Sequence, residues 1–233
     1  MARPTGGLIR VPTGASAVRN RAVRDRGMER QTAFSYRCAA CSRCCYHKKI
    51  QLNPYELARL ARSQYLSAAA FRERHVTDHV YLRQKSDGAC VFLGAKGCTV
   101  HADRPLVCRL YPLGRIVDGD GEHFVELTPH PQTEGRYGKD GAIGDYLTAQ
   151  GAEPFMQAAD AYYQLFRHLG AASVPGAAGG ADEGVSVALE ALDLEGFVTA
   201  EAGRRGVTLP GSLEEQARLH CQWIGEMFAS CPD

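Results

Sequence analysis

CAACSRCCYH, running from Cys38 to His47, places four cysteines within eight positions. Cys38, Cys41 and Cys44 recur at every third residue. That spacing lets a tight loop wrap one centre, with its backbone N–H groups turned inward toward the sulfurs. Cys45 breaks the rhythm. Adjacent side chains do not easily reach the same tetrahedral ion, so the Cys44-Cys45 pair implies either alternative use or two centres. Four readings compete for this much sulfur: a disulfide staple, a zinc knuckle, an iron–sulfur cluster or a reactive thiol.

The rest of the chain narrows them. There are nine cysteines, and seven lie between Cys38 and Cys108, the later ones being Cys90, Cys98 and Cys108. An odd count leaves one thiol over in a pure disulfide scheme, and dense spacing in a reducing compartment points to metal or redox chemistry. Seven thiols also exceed the four that one structural zinc takes. Four thiolates around a zinc ion or a cubane core leave excess negative charge, which Arg43, Lys48, Lys49, Arg104 and Arg109 are placed in sequence to offset. The same cations would favour a nucleophilic thiolate, but with so many thiols gathered, ligation is the better use. The signal is strong for a metal and weak for which metal.

A chain of 233 residues, 45% hydrophobic and 23% charged, reads as globular. No apolar run approaches the ~20 residues of a membrane span, and no secretory h-region follows Met1, so the expectation is a cytoplasmic protein without a membrane partner. The total charge of +1 is unevenly spread: Met1–Arg37 carries eight arginines against Asp25 and Glu29. This arm is rich in Gly and Pro and lacks helical periodicity, so we expect it to be mostly disordered. No aromatic residue is interleaved with its arginines before Phe34, which leaves no stacking platform and argues against nucleic acid.

Beyond the cysteines, Asn53-Pro54-Tyr55-Glu56 reads as a capped helix start, and Ser67 caps a second helix carrying Phe71 and Val76. Ala89–Val100 folds as a hairpin about Gly94–Gly97, with Cys90 and Cys98 near its ends. Arg104–Gly114 holds a short helix stopped by Pro112, with Cys108 in its middle. Gly114–Thr128 is a second hairpin turning at Asp118-Gly119-Asp120-Gly121. That tetrad echoes a calcium loop, but the downstream ligands are missing. A helix from Pro154 to Leu169 presents Phe155, Ala158, Ala159, Tyr162, Leu165 and Phe166. Gly170–Gly184 reads as a flexible linker, followed by one helix carrying Val187, Leu189, Leu192 and Leu194 and another beginning at Ser212 with Trp223, Ile224 and Phe228.

Four motifs in order, CxxCxxCC, Cys90-Val91-Phe92-Leu93, Gly97-Cys98-Thr99-Val100-His101 and Arg104-Pro105-Leu106-Val107-Cys108-Arg109-Leu110-Tyr111-Pro112, resemble the cysteine-cluster family described as zinc- or iron-chelating (the YkgJ-like family). The resemblance spans roughly Arg37 to Leu169. It is also similar to the cluster region of flagellin lysine N-methylases, which implies an iron–sulfur centre, although nothing further in this short chain matches such an enzyme. Where family members carry Cys-Pro-Gly after the second hairpin, this chain has His130-Pro131-Gln132. Histidine can replace cysteine as a ligand, which makes His130 a candidate, against an ordinary loop histidine.

Other features weigh less. His75 and His79 would share a helix face but lack the glutamate of a zinc-protease motif. His47 and His101 are candidate ligands or donors to ligands by proximity to cysteines. Cys221 sits among helical apolar positions and reads as core, and Cys231 has no assigned role.

The expected fold is α+β, mostly helical, with two small hairpins and irregular metal-organised loops. Its expected organisation is a basic arm (1–33), a cysteine-cluster domain (34–169), a linker (170–184) and a C-terminal helical segment (185–233). The expected function is to hold a thiolate-ligated metal centre, an iron–sulfur cluster (4Fe-4S) first, zinc or iron ions second. Redox or group-transfer activity on an unknown protein or small molecule is an added expectation. The alternatives are an iron–sulfur-dependent protein methylase or a zinc-stabilised interaction module. Candidate ligands are Cys38, Cys41, Cys44, Cys45, Cys90, Cys98, Cys108 and His130. Arg104, Arg109 and Tyr111 are candidates to contact cofactor or substrate.

Overall fold

A computed structural model describes residues 8–11, 27–119, 121–172, 185–188 and 192–229. In chain order its first elements are β1 (Leu8–Val11), β2 (Ala33–Arg37), α1 (Pro54–Ser63), α2 (Ala68–His75), β3 (Val76–Thr77) and β4 (Tyr81–Leu82). Next come β5 (Leu93–Gly94), β6 (Gly97–Cys98), α3 (Leu106–Leu110), β7 (Leu113–Asp118), β8 (Gly121–Glu126) and β9 (Arg136–Ala142). The chain ends with α4 (Ile143–Ala149), α5 (Glu153–Ala172), β10 (Val185–Ala188), α6 (Leu194–Arg205) and α7 (Leu213–Ala229). The class is α+β, with every sheet a two-stranded antiparallel pair.

The elements divide into two compact units. One comprises Met1–Ser16, Gln51–Tyr81 and Phe155–Asp233, the other Ala17–Ile50 and Leu82–Pro154. The first is helical. Asn53 opens α1 with a full capping box: its side chain accepts from Glu56 N at 2.9 Å, and Glu56 returns an acceptor to Asn53 N at 3.0 Å. Pro54 occupies the first helical position, where no N–H is missed. The apolar stripe this creates puts Tyr55, Leu57, Leu60 and Ala61 inside. Tyr55 packs edge-on against Phe155 of α5, 5.3 Å between ring centres, and its hydroxyl donates to Glu214 of α7 at 2.7 Å. The buried face of α5 is the one its periodicity predicts, with Phe155, Ala158, Tyr162, Leu165 and Phe166 covered and Ala159 half-buried.

Three expectations change in this unit. Helix α2 ends at His75, and Asp78 and His79 follow in a turn with φ of 48° and 65°, so His75 and His79 do not share a helix face. Val187 lies in β10, paired with Ile9 of β1, rather than on a helix; α6 starts only at Leu194. Strand β1 likewise sits inside the arm that composition marks as disordered. The two strands pair across more than a hundred and seventy residues of chain, which no window confined to one segment can register. The remainder of the arm (1–7 and 12–26) and of the predicted linker (173–184) lies outside the described residues, while Gly170–Ala172 continue α5.

The second unit holds Cys38 through Cys108 and His130. Its frame is the pairing of β2 with β9, in register Ser35↔Gly138, Tyr36↔Tyr137 and Arg37↔Arg136. Phe34 points from β2 into the core and meets Tyr146 of α4 edge-on at 5.2 Å. Residues ahead of β2 belong to the same unit: Met28 exchanges both backbone hydrogen bonds with Phe124 of β8, at 2.9 and 2.8 Å, and Arg30 reaches Glu122 at 2.5 Å. Both predicted hairpins form, β5 with β6 across Ala95-Lys96 and β7 with β8, whose last pair is Asp118↔Gly121.

Candidate metal centre

Strand β2 runs out at Arg37 and delivers the chain into the loop that opens with Cys38. This loop is built from left-handed turns without glycine. Ala40 has φ 53°, Ser42 φ 62° and His47 φ 54°, each a conformation costly to a side-chain-bearing residue. Alternation of left- and right-handed residues turns successive N–H groups toward one side, which makes an anion-holding concavity. The sulfurs occupy it. Ala40 N donates to Cys38 Sγ at 3.4 Å, and the backbone N–H groups of Glu134 and Arg43 lower the Cys41 thiol. Thr133 Oγ1 stands 4.0 Å from Cys41 Sγ, so the loop after His130 closes over this thiol. Residues 43–45 then form a single 3-10 turn, with Cys45 N bonded to Ser42 O at 3.0 Å.

The adjacent pair behaves asymmetrically. Cys44 and Cys45 sulfurs lie 4.0 Å apart. The hydrogen bond from Cys45 draws the Cys44 thiol down to about 7 against the opposing effect of burial, helped by its own N–H and by Lys48. Cys45 moves the other way, raised by that same bond, by burial, and by negative charge at Cys44, Cys108 and Cys90. The half-buried Tyr111, raised by burial, feels charge at Cys44, Cys41 and Cys38 instead. Charge at Cys44 thus reaches Tyr111 and Cys98, while Cys45 feels Cys44, Cys108 and Cys90.

The remaining cysteines arrive on short, well-anchored pieces. Cys90 N donates to Cys45 O at 2.8 Å, and Tyr46 bridges Ala89, which ties the Cys90 strand to the cysteine loop. Cys98 pairs across the hairpin with Leu93; burial raises its thiol, and charge at Cys44 adds to this. Burial also raises Cys90, with charge at Cys98 contributing. Cys108 is exposed in the middle of α3.

His47 N bonds to Gly88 O at 2.8 Å, and the imidazole lies so close over Gly88 that a Cβ there would stand 2.2 Å from His47 Cε1. Gly88 also needs φ +81°, so glycine is required twice over at this position. Three tyrosines wall the other side. Tyr36 meets Tyr111 at 6.0 Å and Tyr137 at 5.1 Å, both edge-on, and Gly135 gives Tyr36 the room its hydroxyl occupies.

Several candidates take up positions the sequence does not announce. Arg109 is buried, and its guanidinium is committed to backbone carbonyls: Arg104 O at 3.0 Å, Gln150 O at 2.8 Å, and Ala102 O. It ties α3 to the turn before it and to the end of α4. Arg104 donates to His101 O at 2.5 Å and to Gln150 at 2.6 Å. Burial, then the Arg104 and Arg109 charges, lower His101. Tyr111 bonds through its hydroxyl to the His130 backbone, while its own carbonyl accepts from Tyr146 Oη at 2.5 Å. His130 is exposed, and its Nδ1 accepts from Gln132 N at 3.1 Å, which leaves Nε2 for any ligation. Thr133, Glu134, Tyr36 and Tyr137 were missed as neighbours of the thiols, since only the β2–β9 pairing brings them there.

All eight described cysteines are free thiols, which removes the disulfide reading for them. Cys221 lies in the other unit on α7, where burial raises its thiol to about 12, and Cys231 lies outside the described residues. Among the described residues, no three Cys, His, Asp or Glu side chains converge closely enough to hold one ion. The donor set nonetheless fits a thiolate-bound group: seven free thiols in one unit, with N–H donors on the sulfurs of the leading loop. A metal bound here would take deprotonated thiols, so its binding would be coupled to closure of the loops.

Fold and site together define a small thiol-rich chelating domain. Residues 37–130 match the model of the CxxCxxCC family, described as "Putative zinc- or iron-chelating domain". No curated protein and no solved structure matches the chain, so the likeness to flagellin lysine N-methylases finds no counterpart. No helix among the described residues is long and apolar enough to cross a membrane.

Proposed function

We propose that the second unit holds a thiolate-ligated iron–sulfur centre, with a zinc site as the second reading. The observation that carries this is the gathering of seven free thiols from a loop, a hairpin and a helix into one unit whose leading loop directs N–H groups at sulfur. N–H···S bonds of this kind stabilise anionic cluster sulfur and tune its potential. Cys38, Cys41 and Cys44 with Cys108 form the first ligand set. Cys45, Cys90 and Cys98 form a second set or close the shell, and His130 is a further donor through Nε2. When bound, an iron–sulfur group supplies one-electron redox chemistry. The chain's part is to hold the thiolates, lower Cys44 and Cys41, and shield one side with Tyr36 and Tyr111.

Purification without oxygen, followed by visible spectroscopy and assays for iron, zinc and acid-labile sulfide, tests this. A brown protein with iron and sulfide in equal amounts is the expected result. A colourless protein with one or two zinc ions would transfer the ligand set to zinc and remove the redox role.

A further inference from the structure

Arg37 and Arg136 stand directly opposite each other at the end of the β2–β9 pair. Like charges in that relation repel and weaken the sheet where it leads into Cys38. Neither guanidinium has a hydrogen-bond or ion-pair partner among the described residues. Both line an open cleft of about 620 Å³ with Cys38, Ala39 and Glu134. Two exposed, unpaired forks on one face, beside Cys38, carry the stereochemistry that grips a planar or tetrahedral oxyanion through paired N–H groups. The single carboxylate of Glu134 leaves this cleft with net positive charge.

We propose that this cleft is the anion-recognition site for a small carboxylate- or phosphate-bearing molecule brought to the metal centre, with Arg37 and Arg136 as its clamp. Its place beside the metal rests on the function proposed above. The gripping of an oxyanion rests only on the two arginines. Bound anion would relieve their repulsion, so the sheet end tightens on ligand binding. Arginines that served only to balance thiolate charge would instead leave the protein indifferent to added anions.

The test uses anaerobically purified full-length protein, titrated calorimetrically with inorganic phosphate and separately with succinate, beside Arg136→Gln and Arg136→Lys. Metal content is measured on each sample. Wild type should bind at least one probe, with the tighter one identifying phosphate or carboxylate as the group read. Arg136→Gln should bind it about tenfold more weakly or worse, and Arg136→Lys should lie between. In anion-free buffer Arg136→Gln should melt no lower than wild type, because a repulsion has been removed. No binding by wild type, or equal binding by Arg136→Gln, overturns the proposal. So does preferential, steeply salt-dependent binding of a short oligonucleotide, which would assign the face to nucleic acid. Anion binding that needs Arg136 in a protein free of metal would refute the metal reading and leave the clamp standing.

Discussion

At the residue scale, the account turns on neighbours in sequence that have opposite chemistry. The hydrogen bond from Cys45 makes Cys44 the better thiolate near neutrality, while Cys45 keeps its proton. With metal removed by a chelator, iodoacetamide should modify Cys44 before Cys45, with its rate rising as pH passes through about 7. Peptide mass spectrometry reads the order, and faster labelling of Cys45 would reverse the assignment. Gly88 makes a second case. An alanine there would place its Cβ 2.2 Å from His47 Cε1 and force φ +81° on a side-chain-bearing residue, so Gly88→Ala should destabilise by roughly 1–3 kcal/mol. Denaturant melts of metal-free protein check this; a change within a few tenths of a kcal/mol would mean the loop yields. The cysteine spacing is what made this region legible in sequence. The partners of Arg109 were not, because a buried arginine bonding carbonyls of Ala102, Arg104 and Gln150 looks in sequence like a cation beside a thiolate.

At the element scale, caps and hairpins were readable because their chemistry is local. Asn53 and Glu56 satisfy each other within one turn, and the β7–β8 hairpin is specified by residues next to its own reversal. Strand β9 escaped notice for the same reason inverted. RYGKDGA has two glycines and an exposed pattern, and becomes a strand only because Ala33–Arg37 lies beside it from about a hundred residues away. Helix α4 follows directly from it and was missed with it. The β2–β9 pair nevertheless decides where Cys38 begins and where Thr133 and Glu134 meet Cys41. Phe34→Ala, which empties the core under this sheet, should cost about 3–5 kcal/mol and lower metal retention along with stability. Asn53→Ala should cost only about 1 kcal/mol and leave metal content unchanged. Equal metal loss in the two variants would detach the site from the sheet.

At the scale of the whole molecule, the two units carry different sensitivities. The helical unit buries His220, whose Nδ1 pairs with the Tyr162 hydroxyl at 2.7 Å and whose Nε2 has no partner. Burial lowers its pKa from 6.5 to about 3. The folded state therefore holds it neutral, whereas the unfolded chain takes up a proton below 6.5. Stability should fall as pH drops from 6.5 toward about 3, approaching 1.4 kcal/mol per pH unit from this residue. Urea melts of wild type against His220→Gln measure the slope; parallel curves would remove His220 as the cause. The cysteine unit should respond to chelators instead, since metal held between its loops would contribute to their folding.

The central claim is that thiols of the second unit hold metal and that Cys221 does not. Elemental analysis of oxygen-protected wild type, Cys44→Ser and Cys221→Ser addresses it in one comparison. The account predicts stoichiometric iron or zinc in wild type and Cys221→Ser, with loss in Cys44→Ser. Trace metal in all three, or full retention in Cys44→Ser together with loss in Cys221→Ser, would contradict it.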